Sequence, residues 1–144
     1  MEITLKPIGA VRSPLKERER RDASKTVAEI IIDPALSGGL DNIDEFSHVT
    51  IIYFMHESHR PAPLKVHPKI RKDPAPVGVF ASRSPDRPNA LGKTTVKLLE
   101  RRGNVLKVEG LDAIDGTPVL DIKPYIPGMD SVPDAKVPLW MTKS

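Results

Sequence analysis

The chain contains no cysteine. That excludes a disulfide scaffold, thiol catalysis and any zinc site built on cysteine. Long hydrophobic runs are also missing. The longest apolar stretch, residues 49–55 with Thr50 inside, falls far short of the ~20 residues a membrane-spanning helix needs. The first residues alternate polar and apolar, with no charged patch followed by an apolar run. No signal peptide is therefore expected, and a soluble cytoplasmic protein without a membrane partner is the simplest expectation. Nor is there an excess of one charge: Lys plus Arg number 22 and Asp plus Glu 19, a net of +3. This excludes a supercharged arm but not a local basic face. The sequence also lacks a G-x-G-x-x-G after a strand, a P-loop and a G-x-S-x-G elbow, so a Rossmann-type nucleotide site is not expected.

What is abundant is proline, 15 of 144 residues, against an average usage of about 5%. So many prolines disfavour long helices and favour short strands joined by stiff loops. The length fits a single domain, 1–144, large enough to fold without metal or disulfide staples. Residues 3–12 read as a first strand pair broken at Pro7. Residues 16–25 read as an exposed charged loop or short helix. Residues 26–32 read as a strand ended by Asp33-Pro34. Residues 35–46 contain Gly38-Gly39 and are expected to form a loop with at most one helical turn. Residues 48–56 are too apolar to be half exposed and are expected to cross the core. Residues 57–76, dense in proline, Lys and Arg, are expected to hold no regular structure. Strands are further predicted over 77–81, 94–102, 105–110 and 119–122. Gly103-Asn104 and Asp115-Gly116 mark turns, and residues 82–93 and 124–137 form polar or proline-rich loops. Leu139-Trp140 would tack down the tail. Seven or eight short strands at regular spacing predict a mainly β protein, a small closed or nearly closed β-barrel with long proline-rich loops.

Several segments could carry chemistry. His56-Glu57-Ser58-His59 superficially suggests a metal motif, but it is not H-E-x-x-H and has no obvious further ligand, so no metal is expected. Arg60, Lys65, His67, Lys69, Arg71 and Lys72 form a basic loop segment suited to phosphate, or simply a solvated loop. Ser82-Arg83-Ser84-Pro85-Asp86-Arg87-Pro88-Asn89 is a stiff loop from which Arg83, Arg87 and Asn89 project. Its arginines could fork onto a carboxylate or phosphate, or pair with acids of the chain itself. Asp121-Ile122-Lys123-Pro124-Tyr125 puts an acid and a base on one strand face ahead of a rigid aromatic. That would suit a flat, amine-bearing base, or else a structural ion pair beside a core tyrosine.

Taken in order, five segments resemble the TsaA-like, TrmO family. They are Pro7-Ile8-Gly9-Ala10-Val11-Arg12-Ser13-Pro14, Phe46-Ser47-His48, Phe54-Met55-His56, residues 78–92 and residues 115–125. The last two are long and specific. The resemblance implies S-adenosylmethionine-dependent methyltransferases on a β-barrel, acting on the exocyclic amine of threonylcarbamoyl-adenosine next to the tRNA anticodon. It also implies homodimers with the methyl donor near the dimer interface. By motif match the donor pocket would use His56, Glu57, Arg83, Leu91, Gly92, Leu111, Asp112, Ala113 and Ile114. Asp121, Lys123 and Tyr125 would then act on the amine and its base, while Arg87, Asn89, Arg60, Lys65, Lys69 and Arg71 would hold tRNA. Two departures accompany the resemblance. A Pro-Arg-Gln-like segment of bacterial members is replaced by Arg20-Arg21-Asp22, and the additional C-terminal region of longer members is not matched. Two other functions are compatible with the residues: a non-catalytic nucleic-acid-binding barrel, and a donor-dependent methyltransferase for a small molecule.

Overall fold

The computed structural model describes residues 1–17, 22–68 and 75–141. Among them, eight strands follow in chain order: β1 Gly9–Arg12, β2 Val27–Ile32, β3 His48–Phe54, β4 Lys65–Val66, β5 Val77–Gly78, β6 Leu91–Arg102, β7 Val105–Glu109 and β8 Pro118–Pro124. The chain divides into two compact units, Met1–Glu57 with Leu91–Tyr125, and Ser58–Ala90 with Ile126–Ser144.

The first unit is a closed antiparallel barrel in the order β1–β2–β7–β6–β3–β8, with β8 pairing back onto β1. Period-2 patterning builds it. Ala28, Ile30 and Ile32 of β2, Val96 and Leu98 of β6, and Leu106 and Val108 of β7 alternate inward into one core. Burying each larger aliphatic among them contributes about 1.5–3 kcal/mol relative to exposure. The expected core strand is β3, whose Val49, Ile51 and Tyr53 are buried. Thr50, on its other face, is buried as well and shares a 3.0 Å hydrogen bond with Thr95 on β6. Strand β8 breaks the alternation. Ile52 faces Asp121, but Tyr53 faces Val119. The extra residue lets Val119 and Ile122, which differ in parity, both pack on the core.

The first unit departs from expectation at two places. Only Gly9–Arg12 of residues 3–12 is strand; Ile3 and Leu5 are exposed and have no strand beside them to pair with. Residues 34–45 form two 3-10 helices, Pro34–Leu40 and Ile43–Glu45, rather than a loop with one turn. The Asp33 carboxylate caps the first by accepting from the Ala35 N–H at 3.0 Å. Pro34 presets the backbone angle at its start, and Leu40 anchors it in the core. Of the charged segment 16–25, residues 18–21, including Arg20 and Arg21, lie outside the described residues.

The second unit carries the β4–β5 ladder, in which β4 is a short piece of regular structure within residues 57–76, where none was expected. The strand predicted over 77–81 stops at Gly78. Val79 turns inward, buried, and its N–H donates to the Leu64 carbonyl at 2.8 Å, which starts a 3-10 turn, Val79–Ala81. Helix α1, Pro127–Asp130, is one turn held by its own Asp130, which accepts from the Ile126 N–H at 2.8 Å. A last 3-10 turn, Leu139–Met141, leaves Leu139 87% exposed, so burial of that side chain does not tack down the tail.

Candidate functional site

At the C-terminal end of β3 the barrel carries a polar cluster. Tyr53 faces Gly92 across the β3–β6 pair, and Phe54 faces Leu91. A side chain at Gly92 would overlap the Tyr53 ring, with its Cβ 2.5 Å from Cζ. The absence of that side chain is what lets the phenol lie flat across β6. The Tyr53 hydroxyl then lies 3.0 Å from Thr94 Oγ1 and 3.0 Å from Asp112 Oδ1. Thr94 itself donates to the same Asp112 oxygen at 2.7 Å. Burial of the phenol, reinforced by the Asp112 carboxylate, pushes the Tyr53 pKa up to about 12, although the Thr94 hydrogen bond opposes this. Tyr53 is therefore a neutral donor throughout the physiological range.

Most residues that the sequence assigned to donor binding collect at this end. His56 and Glu57 are exposed just beyond β3, Leu91 is half exposed at the start of β6, and Gly92 follows it. Asp112 presents an exposed carboxylate, whereas its neighbours Leu111, Ala113 and Ile114 bury their side chains. Leu111 and Ala113 belong to the main core, and Ile114 packs with Leu15 and Ala23 in a smaller cluster. In this stretch only Asp112 and the backbone can meet a ligand.

Strand β8 carries the second group. The Lys123 ammonium lies 3.0 Å from the Asp121 carboxylate, so the acid and base that share a strand face do pair. Asp121 stands opposite Ile52 and Lys123 opposite Thr50. The Tyr125 N–H donates to the carbonyl of His48, the first residue of β3. Tyr125 and the Phe54–Leu91 pair thus mark opposite ends of β3, roughly 20 Å apart at ~3.3 Å per residue. The barrel does not bring Tyr125 to the cluster around Asp112.

The second unit holds the basic residues. Arg87 Nη1 donates to the carbonyls of Ser82 and Ser84, each at 3.0 Å, so Arg87 braces its own loop. The Asp86 carboxylate accepts from the His59 N–H at 2.6 Å. Serine hydroxyls at 82 and 84 accept from the N–H groups two residues on. The loop is stiffened by this chain of bonds as well as by proline. Arg60, Lys65, Arg83 and Asn89 are exposed, while Lys69 and Arg71 lie outside the described residues. Among the described residues no group of three or more His, Asp or Glu side chains could hold a metal ion.

The family model for the tRNA-methyltransferase O N-terminal domain matches residues 11–131. The chain belongs to this family. It is 45% identical to a probable S-adenosyl-L-methionine-binding protein of Archaeoglobus fulgidus over 141 residues, covering 95% of this chain and 38% of that protein. It is 44% identical over 125 residues to the tRNA (adenine(37)-N6)-methyltransferase of Mus musculus, covering 86% of this chain and 28% of the mouse protein. The crystal structure of TrmO from P. aeruginosa superposes with a TM-score of 0.79 at 32% identity, over 96% of this chain and 62% of that one. The chain thus spans well under half of these two curated relatives.

Within this TrmO-family barrel the sequence reading missed Tyr53 and Thr94, whose hydroxyls hold Asp112. The sequence places Gly92 in the loop 82–93, but β6 begins at Leu91 and takes Gly92 in as its second residue, where a glycine often marks a close approach. Finding its partner requires the β3–β6 register, which no local motif specifies.

Proposed function

We propose that the protein is an S-adenosylmethionine-dependent methyltransferase of tRNA. Its target would be the exocyclic amine of threonylcarbamoyl-adenosine next to the anticodon, and it would act as a cytoplasmic homodimer. The observation that carries this reading is the gathering of His56, Glu57, Leu91, Gly92 and Asp112 at one end of a TrmO-family barrel. Their chemistry fits the donor. The carboxylates of Glu57 and Asp112 can accept from hydroxyl and ammonium groups, and the exposed Leu91 gives an apolar surface for a purine. Arg83 would pair with a carboxylate.

When bound, the donor supplies a methyl group already activated on a sulfonium. The harder task falls on the acceptor, an amine whose lone pair is delocalised into the adenine ring. Asp121, steadied by Lys123, would accept a hydrogen bond from that amine and favour the positive charge that develops on it. Tyr125 would stack on the base, and a carbonyl near Pro124 could share the acceptor role. The exposed Arg60, Lys65 and Asn89 and the half-buried Arg87, together with Lys69 and Arg71, would contact the tRNA backbone. The separation of Tyr125 from the donor end along β3 favours a site shared by two copies, each supplying one end.

The test is to incubate the protein with S-adenosylmethionine and tRNA, with and without the threonylcarbamoyl group, and to assay for a new methylated adenosine. Product only from the modified tRNA is expected, and folded protein giving no product on either tRNA would refute the reading. In single turnovers, Asp121→Ala and Tyr125→Ala should each slow methylation by roughly ten-fold or more, about 1.4 kcal/mol in barrier. Near-wild-type rates in both would reduce this segment to structure and move the chemistry towards His56 and Asp112.

A further inference from the structure

The cluster at the end of β3 does more than place an acid at the barrel rim. Two hydroxyls converge on one carboxylate oxygen: Thr94 donates to Asp112 Oδ1 at 2.7 Å, and the Tyr53 hydroxyl lies 3.0 Å from the same atom. Among the described residues Asp112 Oδ2 makes no hydrogen bond or ion pair. An exposed aspartate ordinarily samples several rotamers, and ordering it costs entropy. Here that cost is met on folding, because Oδ1 is fixed from two directions. The free oxygen is left with a set direction and its accepting capacity unused.

The fold accepts a local cost to keep this arrangement. A glycine inside a strand is destabilising by roughly 0.5–1 kcal/mol relative to alanine, yet Gly92 is the second residue of β6. It is the residue that gives the Tyr53 ring its space. The phenol is buried up to its hydroxyl and directs that hydroxyl at Thr94 and Asp112. Buried as it is, the hydroxyl needs a hydrogen-bond partner, and both partners it finds lie at the rim.

We infer that Tyr53 and Thr94 are positioning residues, which aim the free Asp112 oxygen at an O–H or N–H group of the methyl donor. This rests on the function proposed above and adds two residues to it, neither of which need touch the donor. The experiment is calorimetric titration of S-adenosylmethionine into the full chain and its variants, with thermal melting to confirm folding. Tyr53→Phe keeps the ring over Gly92 and removes only the hydroxyl. Thr94→Val removes the second hydroxyl, and Thr94→Ser restores it.

Tyr53→Phe and Thr94→Val should each weaken donor binding by about three- to ten-fold, in line with a hydrogen bond that orients a charged group. Thr94→Ser should bind nearly as wild type. In an Asp112→Ala background, Tyr53→Phe should have no further effect, because its influence passes through Asp112. A Tyr53→Phe protein that binds as wild type, or one whose loss persists in full without Asp112, overturns the inference. If Thr94→Val does not fold, the Tyr53 cycle alone decides. Wild-type protein that binds no donor refutes the proposed function itself. Wild type that binds, with an Asp112→Ala variant that binds equally well, refutes only the positioning role.

Discussion

Tyr53 and Gly92 form a matched pair, one supplying a ring and the other the space for it. Gly92→Ala should force the ring aside and destabilise the protein by ~1–3 kcal/mol, the usual cost of overpacking, as read from urea unfolding. Combining it with Tyr53→Leu should recover part of the loss, because the clashing atoms are gone. The ionisation of Tyr53 gives a separate check. Its pKa is raised from 10.0 to about 12 in the folded protein, so folding favours the neutral phenol. That contribution is complete below pH 10 and is lost as the pH climbs towards 12. Phenolate absorbance should show a step near pH 12 that Tyr53→Phe removes, and stability between pH 10 and 12 should fall more steeply in wild type than in that variant.

Elements are tied to one another by turns that the sequence presents as simple punctuation. The Asp115-Gly116-Thr117 turn before β8 is also a clasp on the end of β1. Asp115 accepts from the Ser13 N–H at 2.9 Å and pairs with Lys16 at 3.0 Å. The Gly116 N–H donates to the Val11 carbonyl, and the Thr117 carbonyl accepts from the Val11 N–H. The Ser13 N–H, followed by Lys16, holds the Asp115 carboxyl below its ordinary range. A carboxylate with a depressed pKa stabilises above its unfolded value, near 3.8, and that support is lost as the pH falls through the lower folded value. Thermal unfolding followed from pH 7 downwards should show wild type losing more stability below about pH 4 than Asp115→Asn does; parallel curves would mean that the clasp holds without its charge.

How much could be read in advance follows the same division. Strands β2, β3, β6 and β7 were legible because their apolar residues alternate or run unbroken, and the Gly103-Asn104 turn marked the β6–β7 hairpin. Strand β8 was legible, but the irregularity opposite Ile52 and Tyr53 was not, since parity within one strand says nothing about its neighbour's register. The helices over residues 34–45 were hidden by Gly38-Gly39, whose loop signal lost to the Asp33 cap and the burial of Leu40. Asp112 could be singled out by family resemblance. Tyr53 and Thr94 could not, because a tyrosine in an apolar strand and a threonine in a mixed one look like ordinary strand residues. The Asp121–Lys123 pair was legible from spacing, but the separation of Tyr125 from the Asp112 cluster follows from the barrel.

For the whole molecule, the proposed composite site makes a prediction that no single chain can meet. If one copy supplies the Asp112 end and the other the Tyr125 end, two impaired variants should rescue one another. Mixing Asp112→Ala with Tyr125→Ala under conditions that allow subunit exchange should restore about a quarter of the wild-type rate. Half the symmetric dimers would then be mixed, each with one intact site of two. Absence of rescue despite exchange, shown by mass spectrometry of the mixture, would place both ends in one chain. The closure of the barrel bears on how any such copies could meet. Every barrel strand has a hydrogen-bonded neighbour on each flank, so among the described residues no barrel strand is a free edge, although the β1–β8 seam consists only of Gly9 with Val119 and Ala10 with Pro118. A second chain therefore finds no edge strand to extend, which disfavours growth of the sheet from copy to copy. Two barrels are then expected to meet through side chains and loops, which leaves partner choice to residues that can change without disturbing the sheet.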